Sequence, residues 1–318
     1  MIEYKNLVFK GGGVKGVAYA GALLELDERN IPEKITRVAG TSAGAITAAL
    51  LAVGYTAEEI RDIVTNDMDF NSFKDKTWLP GNIQRFIKKY GWFKGNAFKT
   101  WMEKKIREKT GKDQATFKDL KTERNKYREL FVVSTNLVKQ RAEIFSAENT
   151  PDIPISDAVR MSMCIPFYFK SVKWKKNIMV DGGMGYNYPV DLFDDEKYVN
   201  DPANFEKVEQ GENIYKVNKE TLGLWLDTKA DINNLRHQTP AGYKKIKNIK
   251  EFTFSVVDYL MEMANMAHLE NYDWERSILI DSLDVKATDF DKVKQKAQEL
   301  IESGKKGVKD YFNWLERE

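Results

Sequence analysis

Ile35-Thr-Arg-Val-Ala-Gly40-Thr-Ser42-Ala-Gly44-Ala-Ile-Thr-Ala-Ala-Leu-Leu-Ala-Val53 joins two different periodicities through a cluster of small residues. Ile35 to Ala39 is short and rich in apolar and β-branched side chains, which predicts a strand. Ala43 to Val53 is alanine-rich and predicts a helix able to lie close to a sheet. Between them, Gly40-Thr41-Ser42-Ala43-Gly44 fits G-x-S-x-G. Its small residues permit the sharp strand-to-helix turn that presents a serine hydroxyl at a sheet edge. Val38 to Ala57 holds no charged residue, and its length approaches the ~20 residues of a membrane-spanning helix. Its glycines, threonines and Ser42 favour a buried strand–turn–helix instead.

The same arrangement occurs one unit earlier. Tyr4 to Phe9 predicts a buried strand, stopped by Gly11-Gly12-Gly13. Val14 to Arg29 follows with Val17, Ala20 and Leu24 at helical spacing. Strand, helix, strand, helix at this spacing predicts an α/β sheet. Gly11-Gly12-Gly13-Val14-Lys15-Gly16 also fits G-x-G-x-x-G, the dinucleotide fingerprint. That fingerprint wants an acid at the end of the second strand, ~20 residues on, to hold a ribose. Here the strand ends Arg37-Val38-Ala39-Gly40, with no carboxylate. A phosphate-binding P-loop fits less well, because no Lys-Ser or Lys-Thr closes the run. The same physics can hold an anion that forms only in a transition state, since inward-turned N–H groups and a helix N-terminus both favour negative charge.

Further along, Thr56-Ala-Glu-Glu59 opens a helix with a capping-type start. Residues 70–111 read as helical and loop-rich. Leu130 to Leu137 is the strongest strand signal, with Arg141 to Phe145 as its partner. Ile155 to Met163 predicts a helix ended by Pro166. Phe167 to Trp174 and Asn177 to Val180 predict two strands around a basic turn. Beyond Asp195 the chain is polar until the strand Leu222 to Asp227. Lys229 to Lys250 reads as a basic loop, Phe252 to Tyr272 as a helix, Ser277 to Ile280 as a strand, and two helices close the chain. Val257, Leu260, Met261 and Ala264 share one side of the first of these helices, and Val308, Tyr311, Phe312 and Leu315 one side of the last. Both faces are assigned to the core, ahead of an acyl-chain pocket for the first and a bilayer surface for the last, and the basic loop to solvent ahead of anionic headgroups.

Acids and bases nearly cancel over the 318 residues, leaving a formal charge of +2, so nothing points to a nucleic-acid partner. Cys164 is the single cysteine and cannot form an intrachain disulfide. Met-Ile-Glu-Tyr-Lys-Asn shows no secretory pattern. The expectation is a cytoplasmic protein able to associate with a membrane, with a non-classical secretion route left open. With no repeat and no clear linker, residues 1–228 are expected to form a catalytic domain, with 229–318 an extension packed on it.

If Ser42 is a nucleophile, it needs a proton acceptor. An α/β-hydrolase would place several strands before the elbow and supply a late histidine. Only one strand precedes this elbow strand, and His237 and His268, the two histidines, carry no triad signature. A carboxylate at a strand end would serve, and Val180-Asp181-Gly182-Gly183 offers one; an Asp-Gly-Gly by itself equally marks a turn.

Gly11 to Gly16, Gly40 to Gly44 and Asp181 to Gly183, in that order, resemble the patatin-like phospholipases. Ala158-Val-Arg-Met-Ser-Met-Cys-Ile-Pro166 resembles the helix that precedes the family's catalytic aspartate strand. The resemblance covers residues 4–228. It implies a three-layer α/β/α sandwich of patatin type with a mainly parallel central sheet. It implies Ser42 as nucleophile, Asp181 as base, and an oxyanion hole built from Gly11, Gly12 and Gly13, chiefly the amides of the last two. Lys15, Gly16, Gly40, Gly44, Gly182 and Gly183 support these motifs, and neither metal nor organic cofactor is implied. The substrate would be a phospholipid or other acyl-ester lipid, met at a membrane surface. Met161 and Cys164 stand where smaller residues are expected and would narrow an acyl pocket. A carboxylesterase or acyltransferase on small esters, and a lipid-binding protein without turnover, are the competing functions.

Overall fold

The computed structural model describes residues 2–69, 72–73, 75, 91–210, 213–237, 246–247, 249–268, 271–287 and 289–317. Its centre is β1 (Asn6–Phe9), flanked in parallel by β2 (Arg37–Thr41) and by β11 (Thr221–Asp227). β12 (Ser277–Asp281) continues the parallel run beyond β11, and β4 (Glu129–Asn136) continues it beyond β2. Every residue of β1 and β11 is buried. Strands covered on both faces must be apolar almost throughout, which explains their unbroken hydrophobic runs.

On the far side the sheet turns antiparallel. β8 (Asn177–Asp181) pairs antiparallel with β4, and β7 (Val172–Trp174) with β8. The β5 strand (Arg141–Phe145) pairs with β4, as the sequence predicts. The full order is β12-β11-β1-β2-β4-β8-β7. The expected strand Phe167 to Trp174 is two strands. Its first part, β6 (Phe167–Phe169), leaves for a small sheet with β3 (Gly91–Phe93). A hairpin of β9 (Phe205–Gln210) and β10 (Asn213–Asn218) fills a stretch whose alternating charges gave no strand signal.

Alternate residues of the central strands feed two cores. Leu7, Phe9, Val38, Val132 and Leu224 face helices α1 (Ala18–Asp27) and α2 (Ala43–Ala52) and their neighbours. Those neighbours include α3 (Ala57–Asp62), α4 (Asn96–Thr110), α5 (Phe117–Thr122) and α6 (Ile155–Ser162). Val8, Ala39, Phe131 and Trp225 point the other way, onto Tyr188, Phe193 and Tyr198. The uncharged run from Val38 is therefore a strand and helix inside the protein. Among the described residues no helix is long and apolar enough to cross a membrane.

The last ninety residues depart from expectation in three places. Lys229–His237 is a helix, α7, where a loop was expected. Thr228 caps it: its hydroxyl accepts the Asp231 N–H at 3.1 Å and donates to the Asp231 carboxylate at 2.6 Å. Thr228-Lys-Ala-Asp231 is a capping signature that the basic composition obscured. Residues 238–245 and 248 of that expected loop lie outside the described residues. The next helix, α8, spans Ile249–His268. The two expected closing helices are one, α9 (Phe290–Leu315), which packs along α1. Gly304 sits against the Ala18 carbonyl, and its lack of a side chain lets the two helices lie this close. Val308 and Tyr311 are buried as expected, whereas Leu315 at the end of the face is 38% exposed.

Candidate active site

Strand register brings the two ends of the site together. β2 runs parallel to β4 and ends with Thr41 opposite Val133. β8 runs antiparallel to β4 and ends with Asp181 opposite Ser134, the next residue. The two strands therefore run towards each other along β4, and their C-terminal ends meet. Ser42, the residue after β2, donates its hydroxyl to Asp181 Oδ2 at 2.7 Å, across 139 positions of sequence.

Ser42 has φ 53° and ψ −120°, a strained backbone for a residue with a side chain. Such strain costs about 1–3 kcal/mol and persists only where the surroundings enforce it. Two features enforce it here. The Ser42 N–H donates to Ser162 Oγ at 2.8 Å, and Ser162 is itself fully buried at the end of α6. Gly44 lets α2 start against β1, for a methyl there would land on the Phe9 and Lys10 carbonyl oxygens.

Asp181 has no solvent exposure. Its Oδ1 accepts the Gly183 N–H at 2.8 Å, and its own N–H donates to the Cys164 carbonyl at 2.8 Å. Burial raises its pKa to about 7, while the hydrogen bonds from Ser42 and Gly183 pull the other way without cancelling it.

The glycine loop lies beside this pair. The Gly11 N–H is already given to the Asn187 carbonyl at 3.0 Å. No carbonyl or side chain of the described residues takes the Gly12 or Gly13 N–H, and Gly13 lines one cavity with Ser42. Of the three glycines named from sequence, the geometry thus leaves Gly12 and Gly13 with amides to offer. Val14 donates its N–H to the Ala287 carbonyl at 3.0 Å, so the segment after β12 backs the loop.

Lys15 points away from the cavity and meets Asp227 Oδ1 at 3.1 Å, while Lys10 Nζ meets Oδ2 at 3.1 Å. Burial alone would raise the Asp227 carboxyl; the Lys10 and then the Lys15 ammonium hold it well below the usual carboxylate range. Removing one partner from a buried ion cluster leaves charge uncompensated. Asp227→Asn is therefore expected to cost about 3–5 kcal/mol of stability, read from urea unfolding at neutral pH. A change below about 1 kcal/mol would show that Lys10 and Lys15 do not depend on this carboxylate.

A cavity opens to the surface in front of Ser42. Apolar side chains form its wall, among them Val14, Val17, Ile46, Met68, Phe98 and Phe169. Met161 and Cys164 do not line it, which corrects the expectation that they narrow it. Met163 and Ile165 do. Met161 is buried in the helical core, and the Cys164 thiol donates to the Lys170 carbonyl at 2.9 Å. The chain leaves its helix after Ser162, and the irregular segment beyond it brings Met163 and Ile165 to the cavity instead.

Gly40, inside β2, lies against the Gly44 carbonyl, while Gly16, Gly182 and Gly183 sit in the short turns of chain around these groups. His237 and His268 are the last residues of α7 and α8, far along the chain from the elbow. Sequence reasoning missed Ser162, Lys10, Asp227 and Asn187. Ser162 lies inside a quoted motif, and Lys10 and Asp227 end adjacent strands, so those signals existed. Asn187 carried none.

A family profile described as patatin-like phospholipase matches residues 7–194, more than half of the chain. Protein R571 of Acanthamoeba polyphaga mimivirus is 38% identical over 196 residues, covering 61% of this chain and 63% of its own. The probable lipid hydrolase 463L of Invertebrate iridescent virus 6 is 32% identical, covering 59% of this chain and 63% of its own. The chain thus matches a little under two thirds of each viral relative. Among solved structures, VipD from Legionella pneumophila shares the fold, with TM-score 0.64 and 16% identity over 98% of this chain and 67% of its own. The profile match, running from the glycine loop past the Asp181 turn, shows that the chain belongs to the patatin-like phospholipase family.

Proposed function

We propose that the protein is a lipid acyl hydrolase of phospholipase A or lysophospholipase type, with Ser42 as nucleophile and Asp181 as general base. The 2.7 Å contact between these two buried groups, at the head of an apolar cavity, carries the reading. The family and the name of the viral relative 463L support the substrate class.

Ser42 Oγ attacks the ester carbonyl as its proton passes to Asp181 Oδ2. The Gly12 and Gly13 amides hold the developing oxyanion, where each such donor is typically worth 10²–10³ in rate. Collapse breaks the ester C–O bond, and the alcohol leaves with the proton from Asp181. Water then attacks the acyl-enzyme, giving its proton to Asp181, and the fatty acid departs as Ser42 recovers a proton. The apolar cavity receives the acyl chain. Residues 1–228 carry this chemistry, while 229–318 complete the sheet and cover the site.

A base must be unprotonated to act. With Asp181 titrating at about 7, kcat/KM should fall about tenfold per pH unit below that point and level off above it. A profile flat from pH 5 to 8 would remove Asp181 from the role.

The functional test is a panel of phospholipid, lysophospholipid, triacylglycerol and p-nitrophenyl ester, run beside fluorophosphonate labelling. Release of fatty acid from the lipids with label on Ser42 supports the reading. Turnover confined to the p-nitrophenyl ester would replace it with a small-ester esterase, and no turnover or label would leave a binding protein.

A further inference from the structure

Helix α8 has two unlike sides. Val257, Ala264 and Asn265 are buried, and Met261 packs partly against the core with its methyl over Gly183. Asn265 Oδ1 accepts a hydrogen bond from Asn187 Nδ2 at 3.1 Å, and the Asn187 carbonyl holds Gly11. This side is committed to the site.

The opposite side is apolar and open. Phe252, Val256, Tyr259, Leu260 and Met263 are each 40% or more exposed, Tyr259 reaching 64%. At about 100° per residue they share an arc of about 100°, three turns long. Glu251, Asp258 and Glu262 fall together on one flank, outside that arc. Leu260 was expected in the core with Val257; about 60° around the helix separates the two, and Leu260 falls on the outer side.

The charge leading into this helix selects its partner. Residues 229–250 hold Lys229, Arg236, Lys244, Lys245, Lys247 and Lys250 against Asp231 alone. Ile246 and Lys247, just before the helix, are both exposed. An apolar stripe preceded in sequence by Lys244, Lys245, Lys247 and Lys250, with no acid among them, matches the acyl–headgroup boundary of an anionic bilayer.

We propose that α8 is the element by which the protein docks on an anionic membrane surface, through Phe252, Val256, Tyr259, Leu260 and Met263. The choice of a lipid occupant rests on the acyl-hydrolase reading; the surface does not. Docking there seats the bilayer on the helix that covers the glycine loop and the Asp181 turn.

The test is co-sedimentation with vesicles of equimolar phosphatidylcholine and phosphatidylglycerol, comparing wild type with Leu260→Glu/Met263→Glu. The double variant should lose about tenfold or more in partitioning, with unchanged melting and unchanged hydrolysis of a soluble p-nitrophenyl ester. Wild-type binding should also weaken in high salt and on pure phosphatidylcholine. A fluorophore on Met263→Cys reads the contact directly, because Cys164 is fully buried; vesicles should shift its emission to the blue. Equal partitioning of both proteins, or an unshifted dye on bound protein, overturns the proposal. So does a wild-type dimer that the double variant dissociates, which would make the face a self-interface. If wild type hydrolyses no ester yet binds vesicles through α8, the docking surface stands and the hydrolase reading falls.

Discussion

Ser42→Ala is expected to lower acyl-ester hydrolysis by about 10⁴–10⁶-fold while the protein stays folded. The size of the loss follows from the absence of a substitute. Cys164, the single thiol, is fully buried, and burial raises its pKa further from thiolate. No water attacking directly would share the covalent step that Ser42 opens. The fold should survive because the strained backbone at Ser42 is held by the Ser162 hydroxyl and by the close packing of Gly44, neither of which involves Oγ. The lost hydrogen bond to Asp181 should change stability by no more than about 2 kcal/mol. Turnover, fluorophosphonate labelling and a thermal melt on the same sample check all three parts. Retained turnover at one tenth of wild type would remove Ser42 from the chemistry.

Asp181→Asn has two large and opposite effects. The amide cannot accept the serine proton, so hydrolysis should fall by about 10²–10⁴-fold. Stability should move the other way above neutral pH. The native carboxyl titrates at about 7, whereas an unfolded one titrates at about 3.9. Between those values the native state binds more protons than the unfolded state, so stability declines as pH rises through that window and stays reduced above it. Asparagine carries no charge to bury and escapes this penalty. The variant should therefore exceed wild type by up to about 4 kcal/mol at pH 8 and lose that advantage towards pH 4. Urea midpoints at both pH values measure it. Wild type as stable as the variant at pH 8 would mean that the buried carboxylate is not the strained group described here. Activity held at the expense of stability is a common property of catalytic sites.

Much of the site was readable because its parts are local. Gly40 to Gly44 and Gly11 to Gly16 each lie between a strand and a helix, and short-range sterics alone decide what such turns can contain. Asp181 could be proposed only by its glycine neighbours and the resemblance, since an Asp-Gly-Gly by itself marks a turn. The supports were harder. Asp227 ends a strand that looked purely structural, and its pairing with Lys10 and Lys15 depends on β11 lying beside β1, a neighbour 215 residues away in sequence. Asn187 sits in a segment without periodicity. Met161 and Cys164 misled because the resemblance says which residues are unusual in size but not which of them reach the cavity, and the helix stops at Ser162.

What the sequence by itself determined is the alternation of strands and helices, the two glycine-rich turns, and the identity of the hydroxyl and the acid that could react. Hydrophobic periodicity and turn stereochemistry are properties of neighbours in the chain, so they are written there. The tertiary structure decided that β2 and β8 converge on adjacent residues of β4, that burial lifts the Asp181 carboxyl towards neutrality, and which side of α8 faces outward. Those outcomes depend on strand register, desolvation and packing between residues far apart, and only the folded chain brings such residues together.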